Sequence, residues 1–98
     1  MEKEECERIL KLTRENRELL KQSDCCGCYY CQNIFNPDRI YMWYNDRIQT
    51  AICPYCKKDK VIGDYGLNHE ISVNFLIEIK AYFYNEKVVD MLKELLED

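Results

Sequence analysis

Apolar positions along this chain recur with two periods, and the change of period marks out its parts. Between residues 2 and 22, Cys6, Ile9, Leu10, Leu12, Leu19 and Leu20 fall on one side at helical spacing, with a gap from Thr13 to Asn16. The pattern predicts one amphipathic helix over 2–22, closed by Ser23-Asp24 and then Gly27. Glu4–Arg8 and Glu7–Lys11 are i,i+4 pairs in the favourable order, each adding about 0.2–0.5 kcal/mol. The apolar stripe is too short for a sustained coiled coil, so this helix is expected to pack on the rest of the chain.

From residue 25 to residue 66 the runs shorten to strand and turn length. Asn36-Pro37-Asp38 has the form of a helix start, with Asn36 as N-cap and Pro37 in the first helical position. It predicts a short helix through Ile40, Tyr41, Trp43 and Tyr44. Tyr41 and Trp43 cannot both face inward on such a helix, so one packs and the other is exposed. Thr50-Ala51-Ile52 reads as a short strand, Val61-Ile62 as its return, and Gly63-Asp64-Tyr65-Gly66 as the closing turn. Helical spacing resumes at Ser72, a suitable N-cap for a helix from Val73. Phe75, Leu76, Ile79 and Phe83 line one face, with Tyr82 and Tyr84 beside it. Further on, Val88, Val89, Leu92, Leu95 and Leu96 line another. The expected organisation is one α+β domain over 1–98: a helix over 2–22, a central body over 25–66 and a helical segment over 72–97.

Cysteine spacing explains how so thin a body could hold together. Cys28-Tyr29-Tyr30-Cys31 and Cys53-Pro54-Tyr55-Cys56 are both C-x-x-C, with 21 residues between them. Two residues between sulfurs let one tight turn aim both at one point. Two such turns supply the four thiolates that a structural Zn²⁺ prefers. The candidate metal ligands are therefore Cys28, Cys31, Cys53 and Cys56, around one structural Zn²⁺. Three of the seven cysteines remain. Cys6 sits on the helix face as a small core residue. Cys25-Cys26-Gly27-Cys28 is itself a C-x-x-C, which leaves a shifted ligand set open. Metal would help a chain of 98 residues, whose core is small.

The order of turn, hairpin, second turn and helix resembles a treble clef, a relative of the zinc ribbon, over residues 25–84. More narrowly, Asn16-Arg17-Glu18-Leu19, followed by Cys26-Gly27-Cys28-Tyr29-Tyr30-Cys31 and Ile34-Phe35, resembles a family of small bacterial cytoplasmic proteins of unassigned activity. Ala51-Ile52-Cys53-Pro54-Tyr55-Cys56 with Val61-Ile62-Gly63 carries the same likeness. It implies a fold and a metal held by the same four cysteines, and no reaction. The chain departs from the pattern at Lys57, where such a second turn usually has Gly.

Composition and charge narrow the function classes. The chain is 47% hydrophobic and 33% charged, and Glu78 and Lys80 interrupt its best apolar run, so no membrane span is expected. The N-terminus lacks the apolar stretch of a signal peptide, and a cytoplasmic location is expected. Net charge is −4, distributed as −1 over 1–24, +1 over 25–69 and −4 over 70–98. No broad basic field is present. Cys53-Pro54-Tyr55-Cys56 resembles a glutaredoxin active-site stretch, but Gly63 and Gly66 interrupt where that motif needs a helix. The single histidine, His69, is too small an inventory for a metal-dependent nuclease. The expectation is no enzyme and no catalytic residues, but a protein-binding regulator, adaptor or inhibitor; an anti-CRISPR protein, acting on a host nucleoprotein, belongs to that class. Glu86, Asp90, Glu94 and Glu97 form the candidate partner-binding stripe, suited to a partner with a basic surface. The alternative is nucleic-acid binding by a zinc ribbon through Lys57, Lys58 and Lys60 with Tyr29, Tyr30 and Tyr55.

Overall fold

A computed structural model of the chain describes residues 1–45 and 48–87, the side chains of Glu86 and Lys87 excepted. The N-terminal segment forms two helices, α1 (Lys3–Lys11) and α2 (Arg17–Lys21), not one. The break falls in the gap of the apolar pattern. Leu12 caps α1, and Glu15 takes a left-handed φ of 48°. Thr13 and Asn16, the polar residues that interrupt the apolar side, are both buried, at 4% and 2% exposed.

Strands β1 (Cys26–Cys28), β2 (Ile34–Phe35) and β5 (Val61–Gly63) make an antiparallel sheet in the order β2-β1-β5. Strands β3 (Trp43–Tyr44) and β4 (Thr50–Ala51) form a separate antiparallel pair. Both pairings differ from the expected hairpin of 50–52 with 61–62. The return strand pairs instead with β1, in the register Cys26↔Gly63, Gly27↔Ile62 and Cys28↔Val61. The short helix after Pro37 is one 3-10 turn, Pro37–Arg39, with the Asn36 side chain accepting from the Asp38 N–H at 2.9 Å. It ends because Ile40 is already extended, and Trp43 and Tyr44 find a partner in β4. Aromatic residues suit such a half-buried ladder. Tyr41 is 63% exposed, while Trp43 packs against the body beneath the Arg17 guanidinium.

Period-two alternation in β1 and β5 divides the core. Cys26, Cys28 and Val61 face one cluster with Leu20, Phe35, Ile40, Ala51 and Cys53. Ile62 faces the other, with Cys6, Ile9 and Leu10 of α1 and with Phe75, Leu76 and Ile79 of α3 (Val73–Ala81). Two glycines let helices approach the sheet. A Cβ on Gly27 would lie 2.9 Å from Leu76, and one on Gly63 would lie 2.4 Å from the Ser23 hydroxyl and 2.9 Å from Leu19 and Leu20. Helix α3 is capped as expected, the Ser72 hydroxyl accepting from the Phe75 N–H at 3.1 Å. It continues as a π-helical turn, Tyr82–Lys87. Among the described residues, no helix is long and apolar enough to cross a membrane.

Candidate metal centre

Both C-x-x-C stretches fold into the same backbone turn. In the first, the Gln32 N–H donates to the Cys28 carbonyl at 2.8 Å and the Cys28 N–H to the Asn33 carbonyl at 3.0 Å. In the second, the Lys57 N–H donates to the Cys53 carbonyl at 3.0 Å and the Cys53 N–H to the Lys58 carbonyl at 2.8 Å. The residue after the last cysteine is left-handed in both, with φ of 62° at Gln32 and 65° at Lys57. Lys57 therefore occupies the position that Gly usually fills, and Gln32 does the same in the first turn. Side-chain hydrogen bonds accompany the strain. The Gln32 amide donates to the Tyr29 and Tyr30 carbonyls at 2.8 and 3.1 Å, and the Lys57 ammonium donates to the Tyr41 hydroxyl at 2.7 Å.

The two turns face each other with their sulfurs inward. The Sγ atoms of Cys28, Cys31, Cys53 and Cys56 all lie within 4.8 Å of one another. Cys28 lies 3.5 Å from Cys56, and Cys31 lies 3.7 Å from Cys53. A tetrahedron with Zn–S bonds of about 2.3 Å has sulfurs about 3.8 Å apart, so the donor set fits a zinc ion. In each turn the first cysteine is fully buried and the second is half-buried. The set excludes Cys25 and Cys26. The buried Cys26 thiol donates instead to the Phe35 carbonyl at 3.3 Å.

Local dipoles favour thiolate at this point. The Tyr55 N–H donates to Cys53 Sγ at 3.4 Å, and the Asn33 amide to Cys31 Sγ at 3.2 Å. Burial first, and then the neighbouring cysteines, push the Cys28 and Cys53 thiols up, against hydrogen bonds from N–H groups of their own turns. Burial also pushes Cys31 up. The Asn33 backbone and side-chain donors, with the neighbouring Cys53 and Cys28 thiols, outweigh it and bring Cys31 down to about 7. A dication among them favours the charged form of all four.

Other residues singled out in the sequence lie elsewhere. His69 stacks on Phe75, with Nε2 3.4 Å from Glu5, and takes no part in the sulfur cluster. Lys58 and Lys80 place their ammonium groups 5.4 and 4.5 Å from the Tyr30 ring centre; Lys57 lies 5.2 Å from that of Tyr41 and Lys60 4.8 Å from that of Phe83. Lys80 also donates to the Tyr30 carbonyl at 2.9 Å, fastening α3 to the first turn. The proposed acidic stripe, the Glu86 side chain with Asp90, Glu94 and Glu97, falls outside the described residues. Sequence reasoning missed Asn16. Its signal was there: a polar break in an otherwise regular apolar stripe. Comparison with protein-family models, with curated proteins and with solved structures returns no match.

Proposed function

We propose that the chain is a non-enzymatic binding module built around one structural Zn²⁺, with a two-turn body of the zinc-ribbon or treble-clef kind. The observation that carries this reading is the convergence of four cysteine sulfurs within 4.8 Å. A catalytic zinc keeps a coordination position for water or substrate, whereas four thiolates fill a tetrahedron. Zinc then contributes folding energy and offers no reactive position.

The partner proposed is a protein with a basic surface, met by the acidic segment that includes Glu86, Asp90, Glu94 and Glu97. Its support is the charge distribution, with the net −4 of the whole chain matched by residues 70–98 alone. The role would be that of a regulator, adaptor or inhibitor. A second reading, nucleic-acid binding, draws on the four lysine–aromatic pairs around the turns. Asp59 sits among these lysines and is paired with Arg14 and Lys60, which reduces its opposing charge.

An affinity capture with the full zinc-loaded chain, with and without nuclease, tests the partner. A captured protein that survives nuclease, and is lost when the four acids are replaced by Gln and Asn, supports the first reading. Capture that disappears with nuclease and falls steeply with salt overturns it in favour of the second.

A further inference from the structure

Residues 14–17 contribute nothing to the sulfur cluster, yet all four reach the neck of the second cysteine turn. Arg14 pairs with Asp59. The Glu15 N–H donates to the buried Thr50 hydroxyl at 2.8 Å. The Asn16 Oδ1 accepts from the Ala51 N–H and its Nδ2 donates to the Val61 carbonyl, both at 3.0 Å. Arg17 donates to the Gln49 side chain.

The strands on either side of that turn explain why such a brace is needed. The first turn closes on its own hairpin, with Cys26 opposite Phe35 and Gly27 opposite Ile34. The second turn is entered from β4 and left toward β5, but β4 pairs with β3 and β5 pairs with β1. The Asn16 amide stands between them, one acceptor to Ala51 and one donor to Val61. A carboxamide has the planar donor–acceptor pair of a peptide group, so it can substitute for the missing rung.

We propose that Asn16 is a positioning residue for the metal centre: by bridging Ala51 and Val61 it keeps Cys53 and Cys56 aimed at the ion. This inference rests on the zinc reading. Asn16 acts through the neck of the turn and touches no ligand sulfur. The left-handed Glu15, whose N–H donates to the buried Thr50 hydroxyl, fixes the backbone from which the amide reaches both strands.

The test compares zinc-loaded full-length wild type with Asn16→Asp and Asn16→Ala. Asn16→Asp keeps the acceptor for Ala51 and loses the donor for Val61. Ile79→Ala, in the cluster on the far side of the sheet, is the control, studied at a temperature where it has lost as much stability. Each protein is exposed to N-ethylmaleimide, and labelling of every cysteine is followed by peptide mass spectrometry alongside zinc release. The expected result for both Asn16 variants is zinc release faster than wild type by roughly 10-fold, the lower end of the affinity loss that removing an outer-shell partner causes. Cys53 and Cys56 should be labelled well before Cys28 and Cys31. Ile79→Ala should label all four together, as global opening does. If the Asn16 variants also label all four together, at the rate of the matched control, Asn16 is an ordinary core residue and the proposal is overturned. If Asn16→Ala does not fold, Asn16→Asp decides alone. Wild type that carries no zinc would overturn the metal reading itself, a result visible before any variant is made.

Discussion

The turn at Cys28–Cys31 and the turn at Cys53–Cys56 carry the same backbone hydrogen bonds and the same left-handed residue after the last cysteine. Each buries its first sulfur and half-buries its second. What lies behind them differs. The first is the tip of a hairpin whose strands are neighbours in sequence, with β5 alongside and Lys80 of α3 fastened to it. The second is held by Asn16, 35 residues from Ala51 and 45 from Val61. Matching metal ligands can thus rest on unlike scaffolds. The nearly symmetric coordination hides one turn that closes on its own hairpin and one whose flanking strands are bridged by a distant loop. Closing the long chain segment between Asn16 and those strands carries an entropic cost that rises with its length.

Removing a ligand should have the largest effect and should not distinguish the turns. Cys28→Ser and Cys53→Ser each leave three thiolates, and each should lose zinc and several kcal/mol of stability, as an upper range of about 10–16 kcal/mol for metal-folded peptides allows. Cys26→Ser should keep a full equivalent of metal. Metal analysis with thermal melts checks both, and a Cys26→Ser variant that loses zinc would show the ligand set to be wrong.

Asn16→Ala should come next and should separate the turns. It leaves the buried Ala51 N–H and Val61 carbonyl without their partner, at about 1–3 kcal/mol for each group. Amide exchange should speed up around Ala51–Lys58 well before Cys28–Phe35. Uniform acceleration would break the comparison.

The glycines follow. Gly27→Ala pushes on Leu76 and Ile71, and Gly63→Ala on Ser23, Leu19 and Leu20. Overpacking of this kind costs about 1–3 kcal/mol. Gly63→Ala should be the worse of the two, because its Cβ would meet the Ser23 oxygen at 2.4 Å. Urea melts measure the order. Equal losses would mean that α2 moves away as freely as α3.

The smallest effect expected is electrostatic. Burial raises the Asp59 carboxyl, but Lys60 and Arg14 more than offset it and hold it below its ordinary value. A depressed carboxylate contributes stability that is present at neutral pH and lost as pH falls below the usual carboxylate range of about 4. Asp59→Asn should therefore flatten the acid side of the stability curve slightly, by less than about 1 kcal/mol, since Arg14 is half exposed. A variant with the same acid slope as wild type would show that Arg14 does not brace the second turn through this pair.

The sulfur cluster was legible because two residues between cysteines constrain the chain locally, and the pairing of two such motifs leaves few alternatives. The Ser72 cap and the face of α3 were legible for the same local reason. Strand partners were not. Runs of two or three residues carry too little pattern to choose between β1 and β4 for Val61–Gly63, and tertiary packing made the choice. The expected helix over 2–22 failed at Thr13–Asn16, where apolar spacing lapsed. Local periodicity could flag the lapse, but only the fold shows that a buried amide bridges two strands there. The Pro37 helix failed because a good N-cap fixes where a helix starts and says nothing about how far it runs.

Cobalt titration of the reduced, metal-free chain tests the central claim most directly. Saturation is expected at about one equivalent, with the charge-transfer and d–d bands of a four-thiolate tetrahedral site, and displacement of cobalt by zinc. A chain that stays folded without taking up metal, or one whose spectrum shows fewer than four sulfurs, would contradict it.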